Sequence, residues 1–166
     1  MDELIKKIET YNIINYLLPG MIFSISFKYL TDINISNSNA AIAIAEYYFI
    51  GLVLSRIGSI VIKALLKKCK IIKEEEYEVF IDKEKEDEKI SILVRDGNQY
   101  RTFIATFVVL ALIETYNIIK GNTDKWITLI AFLVLIILFI LSYRKQLIFI
   151  TKRIKRDVKQ VLKKNE

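Results

Sequence analysis

Histidine is absent from the 166-residue chain, and cysteine occurs once, at Cys69. These shortages exclude the usual zinc sites, a histidine-based acid/base pair and an internal disulfide. A Gly-rich phosphate loop is also missing, and no Ser, Lys or Asp arrangement has the spacing of an intramembrane protease. No catalytic activity and no cofactor are therefore expected. Proline occurs once, as Pro19, inside an apolar run. What the chain holds in quantity is 53% hydrophobic residues together with 27% charged ones, a combination soluble domains rarely show. The two kinds are segregated. Most of the charge sits in the first dozen residues, in 63–101 and in 144–166, the block pattern of a polytopic membrane protein.

A bilayer core of about 30 Å needs roughly 20 mostly apolar helical residues, because hydrocarbon offers backbone polar groups no partner but each other. Four stretches qualify: Ile13 to Leu30, Ala43 to Leu66, Phe103 to Ile119, and Trp126 to Tyr143, the last without a single charge. The predicted fold is all-α, an integral membrane protein with four transmembrane helices. Residues 1–12 form an N-terminal segment, 13–66 the first helix pair, 67–100 a loop, 101–143 the second pair and 144–166 a basic amphipathic helix.

Orientation follows from Lys and Arg, which cytoplasmic connections retain. Residues 1–12, 63–101 and 144–166 hold 2, 10 and 9 of them, whereas the opposite side holds Lys28, Lys120 and Lys125. Both termini and the central loop are therefore expected in the cytoplasm. Tyr11, Tyr16, Tyr100 and Tyr143 would form an inner aromatic belt, and Tyr29, Tyr47, Tyr48, Tyr116 and Trp126 an outer one. A cleavable signal peptide ending at Ser38-Asn39-Ala40 is the competing reading. Against it stand the length of the apolar stretch, its interruption by Pro19 and Gly20, and the acids Asp2, Glu3 and Glu9 ahead of it. The richness in Ile, Lys and Asn suggests an AT-rich bacterial genome, hence a bacterial plasma membrane.

In the loop, Tyr77, Phe80, Ile81, Ile90, Leu93 and Val94 recur at three- and four-residue spacing among charges, which predicts one or two amphipathic helices. The alternative is a short strand at Lys89–Val94 closed by a turn at Asp96-Gly97. Beyond Leu147 an apolar stripe at Ile150, Ile154, Val158 and Val161 is flanked by Lys152, Arg153, Lys155, Arg156, Lys159, Lys163 and Lys164. With no Pro or Gly between, one helix from Trp126 to Lys164 would be about 58 Å long. Its bases would meet anionic lipid of the cytoplasmic leaflet, further copies of the chain, or an acidic partner protein. Nucleic acid is not expected, since no recognised binding motif accompanies the charge.

Within the membrane, Gly51, Ser55 and Ser59 share a helix face where another helix could approach closely, in the same chain or in a second subunit. Arg56, beside that face, must snorkel, pair or meet water, with Asn15 as one partner. Glu46 and Glu114, near the outer ends of their spans, would line a carboxylate ring in an oligomer or serve as ordinary interface acids. Pro19 should kink the first span.

Three functions fit: a regulated pore-forming or membrane-disrupting effector, a non-conducting anchor or sensor that recruits a cytoplasmic partner, and a small constitutive channel or transporter. Stretches such as NYLLPG at Asn15–Gly20, SRIGS at Ser55–Ser59 and NQYRTFIA at Asn98–Ala105 look like family signatures. In layout the chain resembles the small four-span bacterial membrane proteins of antiphage defence systems, such as the membrane component of Kiwa-type systems. The resemblance is one of topology and transfers no residue roles. It implies a homo-oligomer, a cytoplasmic partner and membrane damage or arrest on infection, and so favours the effector.

Overall fold

The computed structural model describes residues 13–72, 88–121 and 125–164, and among them all regular structure is helical. Helix α1 (Leu18–Thr31) follows a π-helical turn, Ile13–Leu17. Helix α2 (Ala40–Ile57) continues through a second π-helical turn, Gly58–Ile62, into α3 (Lys63–Lys68). Two long helices complete the fold, α4 (Glu88–Ile119) and α5 (Trp126–Lys164). Three segments, Ala40–Lys68, Lys89–Ile119 and Trp126–Ile154, are long and apolar enough to cross a membrane. Segment 1–12 and the loop positions Tyr77, Phe80 and Ile81 lie outside the described residues, as do the side chains of Lys155, Arg156, Lys159, Lys163 and Lys164.

The disturbance expected at Pro19 takes the form of the π turn just before it. Pro19 itself stands in the first turn of α1, directly after the π turn, whose wider hydrogen-bond spacing accommodates the missing N–H. Crossing of α1 and α2 is set by two glycines. A Cβ on Gly20 would lie 1.8 Å from the Tyr47 carbonyl oxygen, and one on Gly51 would lie 1.7 Å from that of Tyr16. The two backbones touch, which only glycine at both positions allows. At its far end α1 stops with Asp32 in the left-handed region (φ 59°). Four successive carbonyls near this end, Phe27 to Leu30, are satisfied. Phe27 accepts from the Thr31 hydroxyl (2.8 Å) and Lys28 from the Asp32 N–H (2.9 Å). Tyr29 accepts from the Lys125 ammonium (3.1 Å) and Leu30 from the Asn117 amide (3.0 Å). The last two tie α1 to the start of α5 and the end of α4.

The expected loop through residue 100 is helical from Glu88 onward, so Lys89–Val94 forms no strand and Asp96-Gly97 makes no turn. The reason is a seam. Asp96, Tyr100, Phe103, Phe107, Leu110, Glu114 and Asn117 alternate at spacings of four and three, as do Leu129, Phe132, Ile136, Phe139, Tyr143, Gln146 and Ile150 on α5. Such stripes fit two antiparallel helices packed side by side. Gly97 leaves room for the Tyr143 ring, whose Cε2 lies 3.5 Å from where a Cβ would be. The Gln146 amide donates to Asp96 Oδ2 (3.1 Å) and to the Leu93 carbonyl (3.3 Å). Past the polar pair, Ile90, Ile150 and Ile154 close a small apolar cluster. Tyr143 therefore faces α4 with 3% exposure and is not part of an inner belt. Along their apolar windows, 50% of α4 is buried but only 6% of α5, so α4 is the central helix and α5 the peripheral one.

Candidate functional site

The centre of the bundle is a phenylalanine stack. Phe139 lies 4.9 Å from Phe103 and 5.8 Å from Phe107, and Phe107 lies 6.1 Å from Phe132. Leu30, Leu110 and Ala111 join the same cluster. Charged groups flank it on the central helix. Arg101 comes two residues before Phe103, and its Nε is buried without a hydrogen-bond partner. Glu114 comes one turn after Leu110, is 0% exposed, and neither carboxylate oxygen has a hydrogen-bond partner. Thirteen residues of helix put the two about 20 Å apart, too far to neutralise each other.

A carboxyl group enclosed without hydrogen-bond partners costs about 1–3 kcal/mol. In a membrane segment such a group marks a functional position by default. Its location also differs from expectation: a ring of carboxylates in an oligomer needs Glu114 on an outward surface, whereas the side chain is wholly enclosed within one chain. The cause is the α4 seam, whose four-three spacing carries Glu114 inward with Phe107 and Leu110. Glu46 has a local task. Its Oε2 accepts from the Asn37 N–H (2.8 Å), while the neighbouring Tyr47 hydroxyl meets Ser36 Oγ (2.7 Å), and together they brace the α1–α2 connection.

Gly51, Ser55 and Ser59 separate. Gly51 is consumed by the crossing with α1, and the two serines are half-buried. Gly58, unremarked in the sequence, is buried at the second π turn, where a Cβ would lie 3.0 Å from the Arg101 carbonyl oxygen. Arg56 is exposed, on a stripe with Phe49, Val53 and Ile60. Asn15 is 1% exposed and its Oδ1 accepts no hydrogen bond, so it is not the partner of Arg56. Lys152 is exposed and Arg153 half-buried at the end of the described side chains.

Sequence reasoning overlooked Arg101, Thr102, Thr106, Asn117 and Gln146. The threonines are fully buried and donate to the Asn98 and Thr102 carbonyls one turn back (2.9 and 3.0 Å), which satisfies hydroxyls locally inside a helix. The signal for Glu114, Asn117 and Gln146 was present in the seam spacing. Among the described residues no group of His, Cys, Asp and Glu could hold a metal ion. No known protein family, curated protein or solved structure matches the chain.

Proposed function

We propose that the chain is a regulated, homo-oligomeric effector of a bacterial plasma membrane, with four spans and both termini in the cytoplasm, whose opening lets ions or water pass. The observation that carries this reading is Glu114, a fully buried carboxylate without hydrogen-bond partners, set one turn beyond an apolar stack. Hydrophobic constrictions seal by excluding water. The four phenylalanines would be the seal, and Arg101 and Glu114 the charged positions that hydrate when α4 and α5 part. The cost of keeping Glu114 dry poises the closed form to open. The trigger would reach the seal along α4 and α5, which run unbroken from it to the cytoplasmic side. By layout, the resemblance to antiphage defence proteins makes infection the natural trigger.

The test is membrane potential and dye uptake in cells expressing the wild type, Phe139→Ala and Glu114→Met, with insertion verified for each. Phe139→Ala removes the hub of the stack and should depolarise cells without a trigger. Glu114→Met should melt about 1–3 kcal/mol more stably, since an apolar side chain of similar volume replaces an enclosed carboxyl group whose oxygens have no hydrogen-bond partner, and should no longer depolarise on phage challenge. Intact potential in all three strains, challenged or not, would sink the effector. The second reading, a recruiting anchor, would then stand on the cytoplasmic extension of α4 and α5 packed by Ile90, Ile150 and Ile154.

A further inference from the structure

Helix α5 carries an outward stripe that does not stop where the fourth span was expected to end. Ile127, Ile130, Val134, Ile137 and Leu141 are each more than half exposed. Apart from Ala131 the stripe holds only bulky side chains, so it suits acyl chains better than a second helix, which would need a row of small residues to approach. Past Leu141 the same face continues through Lys145, Ile148, Phe149 and Lys152, with Arg144 beside them, all exposed. Ile148 and Phe149 are 42% and 44% exposed, and the Lys145 ammonium lies over the Phe149 ring at 5.7 Å. Tyr143, the residue that would have marked the interface, is turned into the seam.

We propose that residues 144–152 lie in the cytoplasmic headgroup layer and bind the phosphates of anionic phospholipids. Ile148 and Phe149 would insert among the upper acyl carbons, and Arg144, Lys145 and Lys152 would hold the phosphates. Two observations select lipid as the occupant. The face is continuous with the aliphatic stripe above it, and the chain has no acidic residue between Lys125 and Arg156, so no acid lies within one turn of these bases along the helix. The length agrees as well. From Trp126 to Lys145 the helix rises about 29 Å, which crosses a core of about 30 Å nearly upright, so the residues from Lys145 onward enter the headgroup layer. Trp126 then marks one interface and Phe149 the other, with Arg144, Lys145 and Lys152 around Phe149 as snorkelling residues.

The experiment places a single tryptophan at the site, Phe149→Trp in a Trp126→Phe background, in vesicles of phosphatidylglycerol or phosphatidylcholine brominated at defined acyl depths. Quenching by bromines near the carbonyl end is expected, and its absence with both lipids overturns the proposal. In parallel, wild type and Arg144→Gln/Lys145→Gln/Lys152→Gln, each with native aromatics, are compared for phosphatidylglycerol retained in native mass spectrometry. Preference for phosphatidylglycerol should fall about fivefold per charge removed, since a base near an anionic surface contributes about 1 kcal/mol. Equal retention by both proteins overturns it too, as would protection of these residues by an acidic soluble protein without quenching in vesicles.

Discussion

At the scale of the residue, the five glycines answer one substitution in opposite ways. Gly51→Ala drives a methyl group into the Tyr16 backbone, and since neither helix can yield locally, α1 must leave α2. The expected loss is about 3 kcal/mol or more. Gly97→Ala places its methyl 3.5 Å from an aromatic carbon, an ordinary contact, and removes a glycine from a helix interior. It should raise stability by about 0.5–1 kcal/mol. Thermal melts of both variants in one detergent check the pair, and a common sign would refute the packing. Neither glycine disclosed its task in sequence. Gly51 drew notice through its spacing from Ser55 and Ser59, but the partner that uses it, Tyr16 on another helix, is a matter of tertiary register. Asp96-Gly97 resembled a turn because local chemistry favours one, and the seam with Tyr143 overrides it.

At the scale of the element, hydropathy made the apolar helices legible and left their ends obscure. Apolar content tells where a bilayer can be, whereas a helix ends where its packing does. Residues 88–100 are therefore helical and continuous with the apolar segment that follows, rather than a separate amphipathic helix. The unbroken helix from Trp126 was readable, because no Pro or Gly interrupts it. The inward direction of Glu114 was readable only in retrospect, from the spacing it shares with Phe103 and Phe107. Ile90, 0% exposed against Ile150 and Ile154, holds the start of α4 against the later part of α5. Ile90→Ala should cost about 2–5 kcal/mol locally. Amide hydrogen exchange should speed up in residues 88–96 and 146–154 and stay unchanged around the phenylalanine stack. Uniform acceleration would mean that the extension and the membrane part melt as one unit.

At the scale of the whole molecule, the single exposed cysteine is a native topology probe. Cys69 follows α3 directly. With both termini and this loop in the cytoplasm, it should react in intact cells with a membrane-permeant maleimide and resist an impermeant one. If α1 and α2 each cross once, an N-terminal epitope should be hidden from outside in the same cells. An accessible epitope with a protected Cys69 would leave three spans. The glycine crossing also bears on how copies of the chain could meet. Its backbone-to-backbone contact is already satisfied inside each protomer, and the outward faces of α2 and α5 are mostly bulky, Phe49 and Val53 on one and Ile130 and Ile137 on the other, with Ala45 and Ala131 among them. Lipid tails wet such surfaces about as well as another protein does. Any assembly through them is then a titration between neighbours and solvent, diluted apart by excess lipid and gathered by crowding, so the number of copies in a patch of membrane becomes a control variable in its own right.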